Sequence, residues 1–439
     1  MLDLRTPIQR CGSILKKTTA YSGETSMTTK LIIVVVVSCC MQALCDEKTD
    51  PLFKLGVENI SPAMIRWLST QRIGLITNQT GRSQQGRATV DILRDRGVRI
   101  KALLVPEHGL LGTVLAAHDV HDSVDRHALP IISLYGNGSG KQLAPDVLDN
   151  IDTFVFDIQD SGMRHYTYIS TLFYILEAAA RHHKSLVVFD RPNPLGRIVE
   201  GPLVDAELKS FIGVAPIPLR HGMTVAELAR YFNKNCFDNK ADLRIAPMIG
   251  YQSTQHNVAQ CAMNLSPNIQ SLQACYGYSF LGLLGEIRPF DLAIGTPLAF
   301  QCIMLPHDLN VSAAFWAALR LILAQHAIHS TNFTYYSARK KKKMVGLRIT
   351  IQDIEKVSTC ALLGALIRTA HNHGIQLNFS QAFDKAIGSS KARPSFPDPI
   401  AWSRFMQATT NAVKTFCKKA EGAYLYKPLP LCVSLVATK

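Results

Sequence analysis

The sequence predicts an α/β protein, a parallel sheet covered by helices on both faces and followed by a smaller α+β domain. Three observations carry this. From Arg72 to about residue 250, short continuous apolar runs alternate with helical spacing, the pattern of strands buried on both faces. Beyond that point the alternation stops, and glycine and short apolar pieces dominate to Phe300. The 439 residues, 47% hydrophobic and 18% charged, are enough for two domains and have a globular, not a disordered, composition.

In chain order, Arg72 to Thr77 is a short apolar strand, and 88–96 has helical spacing with Val90, Ile92 and Leu93 apolar. Strands follow at 100–105, 129–134 and 153–156, then an amphipathic helix over 168–182 and a strand at 186–189. Thr224 caps a helix over 224–233, with Glu227 at the capping-box spacing. The second domain contributes helices at 313–327 and 354–371 and a strand at 345–351. The division is therefore 1–48 as an extension, 49–250 as the parallel-sheet domain and 251–439 as the smaller one.

The extension reads as an export signal. Lys30 precedes the apolar run Leu31 to Val37, and the polar segment Asp46 to Asp50 follows. The run is short for a membrane span. Val36-Val37-Ser38-Cys39 has the form of a bacterial lipobox, which would attach a lipid to Cys39; cleavage near Cys45 is the other outcome, and Met27 fits as the start of such a signal. The expected location is periplasmic or lipid-anchored to a bacterial membrane. Seven cysteines follow Cys45 at wide spacings with no CxxC pair, which argues against a zinc or redox site and leaves buried thiols or a disulfide or two. The net charge of +14 is scattered except for Arg339-Lys340-Lys341-Lys342-Lys343, read as a hairpin tip or as a contact for an anionic wall polymer. No nucleic-acid motif is present. His118 and His121 lack a third ligand, and Gly136 to Gly140 lacks the strand–helix context of a phosphate loop. No metal and no cofactor are expected.

In open parallel sheets, ligands bind outside the carboxyl ends of the strands. Polar clusters follow four strands: Asn78 after the first; Glu107 and His108 after the second; Asp157, Gln159 and Asp160, then Arg164, Tyr166 and Tyr168, after the fourth; and Asp190, Arg191 and Asn193 after the fifth. Glu107 directly follows an apolar strand, where a dry wall would raise its pKa as a general acid requires. It could equally cap a helix or pair with Arg164. Asp157 or Asp160 would be the second carboxylate, or a salt-bridge partner of Arg164 or Arg191. Two prolines stiffen Asp190-Arg191-Pro192-Asn193-Pro194, so Asn193 either meets ligand hydroxyls or closes an Asx turn. Tyr166 and Tyr168 form a stacking surface or core aromatics. His108 orients Glu107 or packs. Arg220 and His221 are further polar candidates.

Six segments are similar, in order and spacing, to the DUF1343 family, which includes the NamZ-type exo-β-N-acetylmuramidases. They are Gly74 to Gly81, Pro106-Glu107-His108-Gly109, Phe156 to Asp160 with Arg164 to Tyr168, Asp190 to Gly196, Glu200-Gly201-Pro202, and Pro218 to Met223. The resemblance covers roughly residues 50 to 430. It implies a Rossmann-like first domain without a nucleotide, a cleft completed by the second domain, and release of N-acetylmuramic acid from the non-reducing ends of peptidoglycan fragments. The partner it implies is a peptidoglycan-derived glycan or muropeptide. The family's Pro-Glu-His-Gly glutamate falls on Glu107, and Arg164, Arg191 or Arg220 would meet the lactyl carboxylate of the sugar in a two-point fork. The chain departs from the family between Tyr278 and Phe290: Arg288-Pro289-Phe290 is kept and Glu286 stands nearby, but most of the family's polar residues are absent. A non-catalytic muropeptide-binding lipoprotein therefore stays beside the hydrolase. The two are separated by geometry: for the hydrolase, Glu107, Asp157 and Asn193 should line one pocket faced by Arg288.

Overall fold

The continuous apolar runs become the inner strands of a seven-stranded sheet. The computed structural model describes residues 53–432, apart from 117, 137, 138, 141, 253, 254, 260, 262 and 430; the segment expected to be an export signal, with Lys30 and Cys39, lies outside the described residues. The first part of the chain forms α1 (Pro62–Ser69), β1 (Arg72–Thr77), α2 (Thr89–Asp95), β2 (Arg99–Val105), β3 (Ser123–Val124), β4 (Pro130–Ser133), β5 (Thr153–Asp157), α3 (Tyr168–Arg181), β6 (Ser185–Phe189), α4 (Val225–Cys236) and β7 (Asp242–Ala246). The sheet order is β7-β6-β5-β1-β2-β4-β3. All pairs are parallel except β3 with β4.

This order sets the position of the site. The chain moves outward from β1 through β2 to β4, returns to β5 on the other side of β1, and moves outward again through β6 to β7. The direction reverses between β1 and β5, so the loops leaving their carboxyl ends diverge and open a crevice. Every residue of β5 is buried, and so are five of the six in β1. Strand β7 escapes the sequence reading because it is an edge strand, with only Ala246 fully buried. Thr224 and Glu227 close the expected capping box at the start of α4.

The second domain contains α5 (Leu272–Leu284), β8 (Cys302–Pro306), α6 (Ala313–Gln325), β9 (Ile328–Ser337), β10 (Lys342–Ile351), α7 (Thr359–Asn372) and α8 (Pro399–Ala420). Its antiparallel sheet has the order β8-β10-β9. Helix α7 begins at Thr359 rather than near Ile354, because Ile354–Lys356 forms a separate 3-10 turn and Val357 is extended. The basic run is the turn of the β9–β10 hairpin. There Lys340 and Arg339 pair with Asp291, at 2.9 and 3.5 Å, and Lys342 pairs with Asp308 at 2.8 Å.

Two apolar cores meet within one compact unit. The first gathers residues from Phe53 to Cys275 and takes in Val413, Phe416 and Ala420 from the end of α8. The second runs from Tyr276 to Met406, with Met163, Leu195 and Leu219 added from the first domain. Residues 251–275, which the sequence boundary assigns to the second domain, thus pack largely on the first core. The chain end is fastened there too: Arg197 pairs with Glu227 at 2.5 Å and donates to the carbonyls of Tyr426 and Pro428. Cys417 is disulfide-bonded, while Cys261, Cys275, Cys302 and Cys360 are buried free thiols.

Helix α5 is apolar on almost every face, which fits its place between the two cores. Gly277 allows the closest approach: a β-carbon there would stand 1.7 Å from the Phe300 carbonyl oxygen. Gly277→Ala is expected to destabilise the protein by about 1–3 kcal/mol through overpacking, read as a lower urea midpoint with an unchanged slope. An unchanged midpoint would mean that the Phe300 loop yields without cost.

Candidate active site

Glu107 stands in a tight turn at the carboxyl end of β2. Residues His108 and Gly109 both have φ of 73°, and the Gly109 amide returns a hydrogen bond to the Pro106 carbonyl at 3.0 Å. The His108 ring is held through Nδ1 to the Val114 carbonyl at 2.7 Å, so it props the turn and the following loop. The Glu107 carboxylate is 7% exposed and accepts a hydrogen bond from the Tyr135 hydroxyl. Burial first, and then the Glu107 charge, push the Tyr135 phenol up to about 12, so it remains a donor at neutral pH. Phe211 packs its ring 5.5 Å from that of Tyr135 and lines a cleft of about 340 Å³ along α3.

A second acid approaches from the loop after β5. Asp160 accepts from the Gly162 amide at 2.7 Å and from His221 Nε2 at 3.3 Å through one oxygen. The Met223 amide donates to His221 Nδ1, which assigns the ring proton to Nε2. The other Asp160 oxygen is buried without a hydrogen bond. The charges of both acids are felt at Tyr278 of α5: burial, then Glu107 and Asp160, raise its pKa well above the ordinary value. Its ring lies 4.8 Å from His165 and 5.7 Å from Tyr166. Neither His165 nitrogen has a partner, and burial pushes its pKa down to about 3, so the ring is neutral.

Glu107 is thus held by Tyr135, and Asp160 by His221, with both charges felt at Tyr278, while the other sequence candidates are used internally. Asp157 does not line the crevice. It is fully buried in a two-point pair with Arg191, Nε to Oδ1 at 2.6 Å and Nη2 to Oδ2 at 2.9 Å, and it also accepts from Thr89. Arg191 is spent on this pair and on the Arg82 carbonyl. Arg164 has no ion pair among the described residues; it donates to the carbonyls of Pro202, Ile217 and Ala386, and burial lowers its pKa to about 9. Arg220 faces Glu200 at 3.6 Å and the carbonyls of Leu195 and Val357. None of these three guanidinium groups is open to a sugar carboxylate, since each is at most 1% exposed.

Asp190 caps α4 through the Ala226 amide and Thr224, and accepts from Tyr426 at 2.6 Å; burial raises its pKa to about 7. Asn193 closes an Asx turn to the Leu195 amide and donates to the Met223 carbonyl. Gln159 donates to the carbonyls of Asp160 and Pro192. Asn78 holds its own loop through Thr80 and lies against the Tyr168 hydroxyl. Tyr166 and Tyr168 both donate to the Leu265 carbonyl, at 3.0 and 2.7 Å, and Gln79 reaches the same oxygen at 3.0 Å. They fasten the 263–269 segment over the crevice rather than offer a stacking face. Arg288 is exposed, and its charge is felt by Lys340 on the basic hairpin. The pocket of Glu107, Asp157 and Asn193 faced by Arg288 therefore does not form.

Sequence reasoning passed over Tyr135, Tyr278 and His165. Tyr135 follows a strand end, as the other candidates do, but reads as a continuation of the apolar run. Among the described residues no cluster of three or more metal-ligating side chains occurs. Chemically, the strand ends provide two carboxyl groups with different neighbours, one beside a phenol and one beside an imidazole, groups of the kind used in proton transfer.

Residues 73–273 match the family model described as exo-beta-N-acetylmuramidase NamZ, N-terminal. The chain is 31% identical over 394 residues to the peptidoglycan beta-N-acetylmuramidase NamZ of Bacillus subtilis (strain 168), a match spanning 86% of this chain and 92% of that protein. Two solved DUF1343 family proteins of Bacteroides fragilis NCTC 9343 share its fold. One has a TM-score of 0.74 at 28% identity and the other 0.67 at 25%, each match covering 85% of this chain and 99% of the other.

Proposed function

This chain belongs to the NamZ family of exo-β-N-acetylmuramidases, and from that membership we propose that it is a glycoside hydrolase releasing N-acetylmuramic acid from peptidoglycan fragments, with Glu107 as its acid–base group. The observation that carries this reading is the identity to a peptidoglycan β-N-acetylmuramidase along nearly the whole chain. The chemistry is consistent with it. Glycosidic cleavage needs a carboxyl group that protonates the departing oxygen and a second one that assists at the anomeric carbon. Glu107, held by Tyr135, supports the first role. Asp160, held by His221 and keeping one oxygen unbonded, supports the second.

We place the enzyme outside the cytoplasm. The reading rests on the signal-like run Leu31 to Val37, with Cys39 as the residue that would carry a lipid. Among the described residues, no helix is long and apolar enough to cross a membrane.

The test is release of sugar from a synthetic chromogenic muramic-acid glycoside by the purified chain. Steady turnover is expected. Saturable binding of the glycoside without any release would instead make the protein a muropeptide-binding member of the family.

A further inference from the structure

The second domain holds a cation with nothing to balance it. Arg368, on α7, has no ion pair among the described residues; its guanidinium carbon lies 5.8 Å from the centre of the Trp402 ring. Its Nη1 is buried without a hydrogen-bond partner. Burial lowers its pKa, and no neighbouring charge acts against that. A charged group drawn partly out of water without a partner costs free energy, which a partner of opposite sign would recover.

Arg368 lines a cavity of about 460 Å³, walled by Ile367, Ile375, Leu377, Phe379 and Phe396. This is within the range of small-molecule sites, roughly 300–1,000 Å³. The other arginine at this cavity shows the contrast: Arg393 is matched by Asp384 and packs over the Phe379 ring at 5.8 Å. Of the two arginines, Arg368 is the one without an ion pair among the described residues; His371 also lines the cavity. None of the cavity's lining residues belongs to the group around Glu107.

We propose that this cavity binds a small organic carboxylate with an apolar body. The guanidinium of Arg368 meets the carboxylate in a two-point fork, and the aromatic and aliphatic walls cover the body. The proposal does not rest on the hydrolase reading.

The probe is 4-phenylbutyrate, compared with the neutral 4-phenylbutan-1-ol, on the full chain. Binding is followed by calorimetry and by tryptophan fluorescence, to which Trp402 reports from beside Arg368. Wild type is expected to bind the acid saturably and the alcohol about tenfold more weakly, the scale of one charge-assisted hydrogen-bonded contact. Arg368→Gln is expected to weaken the acid by about the same factor and leave the alcohol unchanged. Leu377→Trp, which pushes a larger ring into the cavity and keeps the charge, should weaken both by the same factor. Turnover of the muramic-acid glycoside should be the same in all three proteins. Equal affinity for acid and alcohol, retention of the acid by Arg368→Gln, or no saturable binding to wild type would each overturn the proposal. Should Arg368→Gln fail to fold, the acid–alcohol comparison on wild type and the Leu377→Trp result decide it.

Discussion

Asp157→Asn is expected to cost about 3–5 kcal/mol of stability, the usual result of removing one partner from a buried ion pair. Asp157 and Arg191 are at most 1% exposed and share two hydrogen bonds at 2.6 and 2.9 Å. An amide in place of the carboxylate keeps one acceptor but leaves the guanidinium charged, buried and without a counter-ion. The pair also joins the end of β5 to the loop after β6 and to the Arg82 carbonyl, so the loss falls on the centre of the sheet. Urea unfolding measures it. The double change Asp157→Asn with Arg191→Met should be less damaging than the single one, because it removes the stranded charge. A variant as stable as wild type yet inactive would instead make Asp157 a catalytic group.

Glu107→Gln is expected to lower turnover of the muramic-acid glycoside by about 10²–10⁴-fold, the usual contribution of a positioned acid–base group. That corresponds to about 3–5.5 kcal/mol of barrier. The substitution is nearly isosteric. The amide oxygen still accepts from Tyr135, so substrate affinity and the urea midpoint should change little. Loss of kcat with KM and stability kept is the signature of a group that acts in the reaction rather than in the fold. A rate close to wild type would remove Glu107 from its proposed role. Tyr135→Phe should have a smaller effect, since it frees the carboxyl without removing it.

The parallel sheet was legible because strands buried on both faces leave continuous apolar runs, as β1, β5 and β6 do and as β2 does from Ala102 onward. Edge strand β7 and the antiparallel strand β9 alternate or mix polar residues, as half-exposed strands must, and they escaped notice. At the site, the strand-end rule pointed to Glu107 and Asp160, and His221 entered as a further polar candidate. The same rule swept in Asp157, Asp190, Arg191 and Asn193. Loops packed beneath a second domain need internal donors and acceptors for their buried backbone, and from sequence alone such residues look like ligand contacts. Tyr135 and Tyr278 went the other way: their rings read as core, and only the folded chain brings the Tyr135 hydroxyl to Glu107 and buries Tyr278 within reach of both acids' charge.

The return of α8 and residues 424–428 to the first core has a consequence for dissection of the molecule. The smaller domain is an insertion, and the larger one is assembled from two stretches of chain that lie far apart in sequence. A fragment ending near residue 250 would lose the Tyr426 hydroxyl bound to Asp190 and the carbonyls bound to Arg197, exposing apolar surface on α4. Neither half can be released by a single cut, and the two are expected to melt together.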